Sequence, residues 1–364
     1  MNPAAAPAPP STFSRLLRSP WLHPLNDADA WEQLRTAIHP MWSGRDYPAR
    51  VVALVDETPD TRSLLLQPVR RWPQHRAGQH VVLEVEIDGR RLYRSFSLSS
   101  APTPDRRIRI TVKRGAQARV SAWLQAQVQV GDVLRISAPV GEFLAPAGDQ
   151  PLLLLSAGSG ITPLMAILED LHARGDRRPI QFLHACRTPA DLIFAARLRV
   201  LATEMPGLSL HIHYSAQLGR FSAGKLAALL PDYARYQALV CGPRDLALDV
   251  EQLLQSAGVG AQLRSESYRG RVLPRHANAG THAVHCSVTE QMFTVREDTS
   301  LLAAAEAAGL KPASGCRIGI CKTCQCTKRS GSVLNLRTGE LSAEPDQLIQ
   351  LCVSVARSPL ELSL

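Results

Sequence analysis

The 364-residue sequence contains no run of about 18 consecutive apolar residues, so it offers no membrane-spanning helix. Its start, MNPAAAPAPPSTFSRLLRSP, lacks the continuous apolar segment of a secretory leader, which makes a cytoplasmic protein the expectation. None of the 11 histidines stands in an H-E-x-x-H arrangement, the pattern of many zinc hydrolases. The net charge is +9, yet no nucleic-acid motif accompanies it; no nucleic-acid partner is expected, and a solvated basic surface is the simplest reading. Cysteine is sparse, with 8 in the chain, but Cys316, Cys321, Cys324 and Cys326 share one stretch, SGCRIGICKTCQC. In a reducing compartment such clustering points to metal or redox chemistry rather than to disulfides.

The length calls for two or three cores, and the patterning divides the chain accordingly. Residues 1–45 are an Ala/Pro-rich extension with scattered Phe13, Leu16, Leu17, Trp21, Leu22, Trp31 and Trp42, read as packing on the body or as a short amphipathic surface helix. Residues 46–148 carry short alternating or β-branched runs such as ARVVALVDE, QHVVLEVEI and RIRITVKR between Gly, Pro and Asp turns. These predict a small antiparallel β-barrel or sandwich. In residues 149–268 the period changes. PLLLLSAGSGITPLMAILEDLHARG reads as a buried strand, a Gly-rich turn and a helix. The strands IQFLHAC, LSLHIHYSA and QALVCGP then alternate with helical stretches such as ADLIFAARLRVLATEM, which predicts an α/β domain on a parallel sheet. A polar linker, 269–280, leads to an α+β unit at 281–364, with the strands HAVHCSV and QMFTV, the helix TSLLAAAEAAG, the cysteine loop, and a last pair around LIQLCVSVA and LELSL. From Thr281 onward acidic and basic residues balance, so the positive excess lies upstream.

Cys316-x4-Cys321-x2-Cys324, followed later by Cys352, has the spacing of a plant-type [2Fe-2S] site. The cluster needs four thiolates, and a loop can supply three only if its backbone curls round the inorganic sulfides. Ser314, Gly315 and Gly319 are small enough to allow that. A zinc site would more naturally show two C-x2-C pairs, and one is present. Cys326 is left over, a spare thiol beside the cluster.

With these motifs the C-terminal unit resembles a plant-type ferredoxin of β-grasp fold, and the rest resembles the ferredoxin-NADP reductase superfamily. Together they are similar to flavin reductases fused to a C-terminal ferredoxin, which serve oxygenases and desaturases. RSFS, Arg94 to Ser97, matches the superfamily's R-x-Y-S flavin motif. The resemblance implies Arg94 on a flavin phosphate, Phe96 stacked on the ring in place of tyrosine, and Ser97 near N5. RITVKRGAQARVSAWL is similar to the second flavin stretch. It implies that Thr111, Val112 and Lys113 line the flavin and that Val120 and Ser121 present N–H groups to its phosphates, which favours FAD over FMN.

In the same way AGSGITP resembles the pyridine-nucleotide turn. Gly158 and Gly160 would let a pyrophosphate approach, and the helix starting near Thr162 and Pro163 would point its N-terminus at the anion. Pro163 stands where a G-x-G-x-x-G fingerprint has its third glycine. VCGP implies Cys241 near the hydride path, and SESY implies Glu266 and Tyr268 near the flavin. The catalytic set implied by the resemblance is therefore Ser97, Cys241 and Glu266. Arg187 after the second strand, where an acidic residue would favour NADH, and Arg220 lean the choice towards NADPH.

Hydride carries two electrons and a [2Fe-2S] centre takes one, so the implied order is NAD(P)H, flavin, cluster, acceptor. A fatty-acyl desaturase is the expected acceptor, favoured by similarity in NLRTGE and IQLCVSV and by the basic body, which would suit peripheral association at the inner face of the membrane. A soluble ring-hydroxylating or alkane oxygenase is the alternative. A redox-sensing iron-sulfur protein is a third reading, weakened because a sensor needs no nicotinamide site.

Overall fold

The computed structural model describes residues 31, 34, 35, 37–43, 47–115, 119–266, 279–315, 317, 319 and 322–364. The proposed amphipathic helix near residues 13–22, Tyr268, Cys316 and Cys321 lie outside the described residues. Trp31 and Trp42 are exposed rather than packed on the body. Among the described residues no helix is long and apolar enough to cross a membrane.

The first domain is antiparallel throughout. Strands β1 (Tyr47–Thr58), β2 (Thr61–Pro68), β3 (His80–Ile87), β4 (Arg90–Ser97) and β5 (Ile108–Lys113), helix α1 (Arg119–Gln127) and β6 (Val133–Ile136) follow one another. The sheet order is β4-β3-β6-β1-β2-β5. Leu98, just beyond β4, bridges to Ile110 of β5, so the two edge strands meet and the sheet closes on itself. β5 shows the period of two that drives this. Ile108, Ile110 and Val112 enter the barrel core with Leu64, Leu83 and Trp72, while Arg109, Thr111 and Lys113 face the other way.

The second domain comprises β7 (Leu152–Ala157), α2 (Ile161–Ala173), β8 (Ile180–Cys186), α3 (Ala195–Glu204), β9 (Leu208–Tyr214), α4 (Ser215–Leu218), α5 (Ala223–Leu229), β10 (Gln237–Cys241), α6 (Arg244–Ser256) and β11 (Leu263–Glu266). Its sheet is parallel, in the order β11-β10-β7-β8-β9. The unbroken leucines of β7 are explained by burial on both faces. Leu152 and Leu154 pack in the α2 core, and Leu153 and Leu155 in the α6 core. The chain runs outward from β7 to β9 and then returns to β10, so the strand order reverses between β7 and β10, where ligands bind in such sheets.

The stretch ADLIFAARLRVLATEM is not one helix. Thr188 N and Oγ1 both donate to Asp191, closing a single 3-10 turn over Pro189–Asp191, and Phe194 takes a left-handed φ of 61°. α3 therefore starts only at Ala195.

The third domain has β12 (Thr281–Cys286), β13 (Gln291–Arg296), α7 (Leu301–Ala307), β14 (Gln325–Ser330), β15 (Val333–Asn335), β16 (Leu341–Ser342), β17 (Gln347–Gln350), β18 (Ser354–Ala356) and β19 (Leu360–Leu362). A mixed sheet, β13-β12-β19-β14-β17, is covered by α7, whose Ser300 Oγ accepts from Ala303 N as its cap. LIQLCVSVA, read as one strand, is two. β17 belongs to the mixed sheet and β18 to a small sheet β16-β15-β18, and the break between them carries Cys352. Lys328 on β14 is fully buried, its Nζ donating to Gly331 O at 2.7 Å and Glu344 O at 2.6 Å.

Candidate functional site

A cavity of about 270 Å³ lies between the barrel and the turn from β7 to α2. Arg94, Ser95, Phe96, Ser97, Thr111, Lys113, Val120, Ser121, Ser159 and Thr162 line it. The flavin motif and the second flavin stretch, distant in sequence, thus come together. Strand alternation selects among them: Thr111 and Lys113 face the cavity, whereas Val112 is fully buried in the barrel core and is not a lining residue. Thr111 Oγ1 lies 2.8 Å from the hydroxyls of both Ser63 and Ser99, which fixes its rotamer. Val120 and Ser121 sit in the first turn of α1, where helix N–H groups lack intrahelical acceptors.

A second cavity, about 420 Å³, lies at the carboxyl end of the parallel sheet, with Gly158, Cys186, Arg187, Asp191, Ser215, Arg220 and Phe221 among its lining residues. Lys113 and Asp60 reach it from the barrel. Lys113 borders both cavities, and its Nζ is held 2.9 Å from Asp60 Oδ2. Burial alone would raise the Asp60 carboxyl, but hydrogen bonds from Lys113, Thr58 and Thr61 outweigh it and hold its pKa below the usual value. Arg220 pairs with Asp245 at 2.9 Å on the rim. Burial, with the Asp191 charge adding to it, pushes the Cys186 thiol up to about 11, so it stays protonated.

The turn itself divides its labour. Gly158 has φ 56° and lines the second cavity. Gly160, expected to face a pyrophosphate, is instead required by packing: a Cβ there would lie 2.0 Å from Cys241 O. α2 begins without a side-chain cap and without an acidic residue in its first turn, so its orphan N–H groups and the positive end of its dipole suit an anion. Thr162 Oγ1 donates to Ser159 O at 3.0 Å, and Pro163 is buried in the same turn. Cys241 is fully buried and lines neither cavity, because β10 turns its side chain into the α2 core.

Glu266, at the end of β11, meets a residue that no motif singled out. His80 Nδ1 lies 3.8 Å from Glu266 Oε1, and His80 is paired directly opposite Ser97 across β3 and β4. Both ring nitrogens of His80, and Glu266 Oε2, are buried without a hydrogen-bond partner among the described residues. Burial pushes Glu266 up to about 7, with the Arg337 charge opposing the rise. Burial, then the same arginine, pushes His80 down to about 4. Arg337 belongs to the third domain, so the charge of that domain reaches a pair formed by the first two. An arginine, an aromatic ring and several hydroxyls in one cavity, with helix N-termini at its edges, form a donor set that fits FAD; His80 and Glu266 line neither cavity and lie behind Ser97.

The cysteine loop fits a cluster in the same sense. Gly319 has φ 76°, and a Cβ there would lie 2.9 Å from both Val353 methyl carbons. Arg317 and Lys322 are also left-handed, at 60° and 58°, a backbone conformation of the kind from which anion-binding turns are built. Leu351 N donates to Cys324 O at 3.1 Å, so the ends of β14 and β17 bring Cys324 and the neighbouring Cys352 side by side, both buried. Arg337 Nη1 donates to Gly319 O at 2.9 Å and pins the loop. Cys326, two residues beyond Cys324 and inside β14, is in the core, where burial pushes its thiol up to about 11.

Known proteins match this architecture in order. Residues 50–144 match the oxidoreductase FAD-binding domain family, 154–252 the oxidoreductase NAD-binding domain family, and 284–357 the 2Fe-2S iron-sulfur cluster binding domain family. An NADPH oxidoreductase of Mycobacterium tuberculosis is 33% identical over 332 residues, spanning 90% of this chain and 86% of the relative. A glycine betaine monooxygenase reductase subunit of Chromohalobacter salexigens is 31% identical over 353 residues, spanning 87% and 95%. The solved phthalate dioxygenase reductase, a modular structure for electron transfer from pyridine nucleotides to [2Fe-2S], shares the fold, with a TM-score of 0.61 at 22% identity over 88% of this chain and 98% of that one. The chain therefore belongs to the ferredoxin-NADP reductase family, as an NAD(P)H-dependent FAD reductase with a C-terminal [2Fe-2S] ferredoxin domain.

Proposed function

We propose that this protein is the reductase component of an oxygenase system, drawing electrons from NADPH and delivering them singly to a separate oxygenase. One observation carries the reading: the two cavities adjoin and share Lys113, so a flavin and a nicotinamide would meet at one wall. FAD, when bound, supplies the exchange between a two-electron hydride donor and one-electron carriers. The chain's own residues bind and orient. Arg94 and the first turn of α1 would hold flavin phosphates, Phe96 would cover the ring, and Ser97 would place a hydroxyl at its reactive edge. Gly158 would let the nucleotide pyrophosphate approach, while Ser159 and Thr162 around the start of α2 border the flavin cavity. Arg187 and Arg220, with Ser215 beside them, would recognise a 2′-phosphate, which supports NADPH over NADH. Glu266 and His80 would hold a proton near Ser97. Cys316, Cys321, Cys324 and Cys352 would ligate the cluster.

The relative named for an acceptor system serves a monooxygenase, and this favours an oxygenase over the fatty-acyl desaturase expected from sequence. The test is direct. Purified protein with NADPH should reduce cytochrome c rapidly and should support turnover when an oxygenase component is added. Failure with both NADPH and NADH would sink the reductase reading. Turnover with a desaturase and with no oxygenase would sink the choice of acceptor. Arg187→Ala with Arg220→Ala should raise KM for NADPH roughly tenfold or more and leave that for NADH near its starting value.

A further inference from the structure

The barrel and the nucleotide domain touch through more than apolar surface. Ala77 and Phe143 of the barrel side pack into the α2 core. Beside them Arg109 of β5 makes a directional contact. Its Nη2 donates to Glu169 Oε1 of α2 at 3.1 Å, its Nε donates to Ser99 Oγ at 3.2 Å, and its guanidinium lies 4.6 Å over the ring of Phe194. Glu169 is held from both domains, since its Oε2 accepts from Ala101 N at 3.4 Å and its Oε1 lies 3.7 Å from Arg197 Nε. Arg109 and Glu169 are only 18% and 14% exposed, so water screens the pair weakly. The left-handed turn at Phe194 has a use here, because it delivers the ring beneath the arginine.

We propose that the Arg109–Glu169 pair, seated on Phe194, is the positioning contact that sets the gap between the flavin cavity and the nucleotide cavity. The inference rests on the cavity roles argued above and assigns to them a mechanical reference point. Arg109, Thr111 and Lys113 occupy one face of β5, and Lys113 is four residues, about 13 Å, from the brace. Glu169 follows Thr162 by seven residues, two helical turns or about 10 Å, so both lie on one stripe of α2. One strand and one helix are thus joined at this brace, and beyond it they border the flavin cavity, Thr111 and Lys113 from the strand and Thr162 from the helix, with Ser159 just before it. Apolar contact alone is non-directional and tolerates sliding, whereas a carboxylate gripped by a guanidinium does not. Hydride transfer is sensitive to such sliding, since a displacement of about 1 Å can cost roughly a hundredfold in rate.

The experiment uses the holoprotein. Arg109→Met keeps the apolar stem and removes the charge, and Glu169→Leu attacks the pair from the nucleotide domain. Each should retain FAD content and the visible spectrum of the cluster. Stopped-flow bleaching of the flavin by NADPH should slow by about ten- to a hundredfold. Without nucleotide, amide hydrogen exchange across 161–173 should quicken. The exchanged pair, Arg109→Glu with Glu169→Arg, should recover part of the rate. Either single variant bleaching at the wild-type rate with full FAD would overturn the proposal. If Arg109→Met is recovered without FAD, Glu169→Leu decides on the same readouts. A wild-type protein that no nicotinamide reduces would instead refute the reductase reading and leave the brace to be judged by hydrogen exchange, where unchanged protection in both variants would overturn it.

Discussion

At the scale of single residues the cluster loop makes the sharpest demands. Cys352→Ser should abolish the [2Fe-2S] visible absorption, while Cys326→Ser should leave it, because the Cys326 thiol is packed in the sheet core, 3.5 Å from Ser363 O. The reverse result would mean that the ligand set is wrong. Gly319→Ala meets both a left-handed φ of 76° and the Val353 methyls. It should destabilise the ferredoxin domain by about 1–2 kcal/mol or more, seen as a lower Tm and faster bleaching of the cluster. The residues that motifs could supply are those whose role is local, such as Arg94, Ser97 and Gly158. Motifs were blind to facing. Val112 and Cys241 share segments with cavity residues but point into cores, and alternation along β5 would have excluded Val112.

At the scale of elements, α2 against β10 is the critical fit. Gly160→Ala would drive a methyl into Cys241 O and push the start of α2 away from the sheet. A cost of about 1–3 kcal/mol is expected, together with a weaker NADPH complex, measurable by thermal unfolding and by titration of the nucleotide. A variant with unchanged Tm would show that the turn relaxes freely. Domain order, the barrel and the doubly covered parallel sheet were legible because their cause is periodicity. The split between β17 and β18 and the late start of α3 were not. The first depends on two sheets competing for one apolar run. The second depends on Asp191 capping Thr188 and on a ring drawn under Arg109, a partner 85 residues earlier in the chain.

At the scale of the whole molecule the buried His80–Glu266 pair, which joins the first two domains, links fold to pH. Folded, His80 and Glu266 together hold one proton from about pH 4 to about pH 7. In the unfolded chain, with ordinary values of 6.5 and 4.5, the same two groups hold one proton between those limits, so stability is flat across that window. His80→Asn removes the balance. Glu266, raised when folded, then contributes stability below pH 4.5 that is lost as pH climbs to about 7. The loss should approach about 3 kcal/mol, read as a Tm that declines across this range in the variant and not in the parent. Parallel curves would show that His80 carries no folding-linked proton difference across this range. The buried ammonium of Lys328 has a different use. Lys322, exposed on the cysteine loop, should react at once with a water-soluble acylating reagent, whereas Lys328 is reached only when the sheet parts. The mass tag on Lys328, counted against that on Lys322, would therefore time the spontaneous opening of the electron-exit domain in a working enzyme.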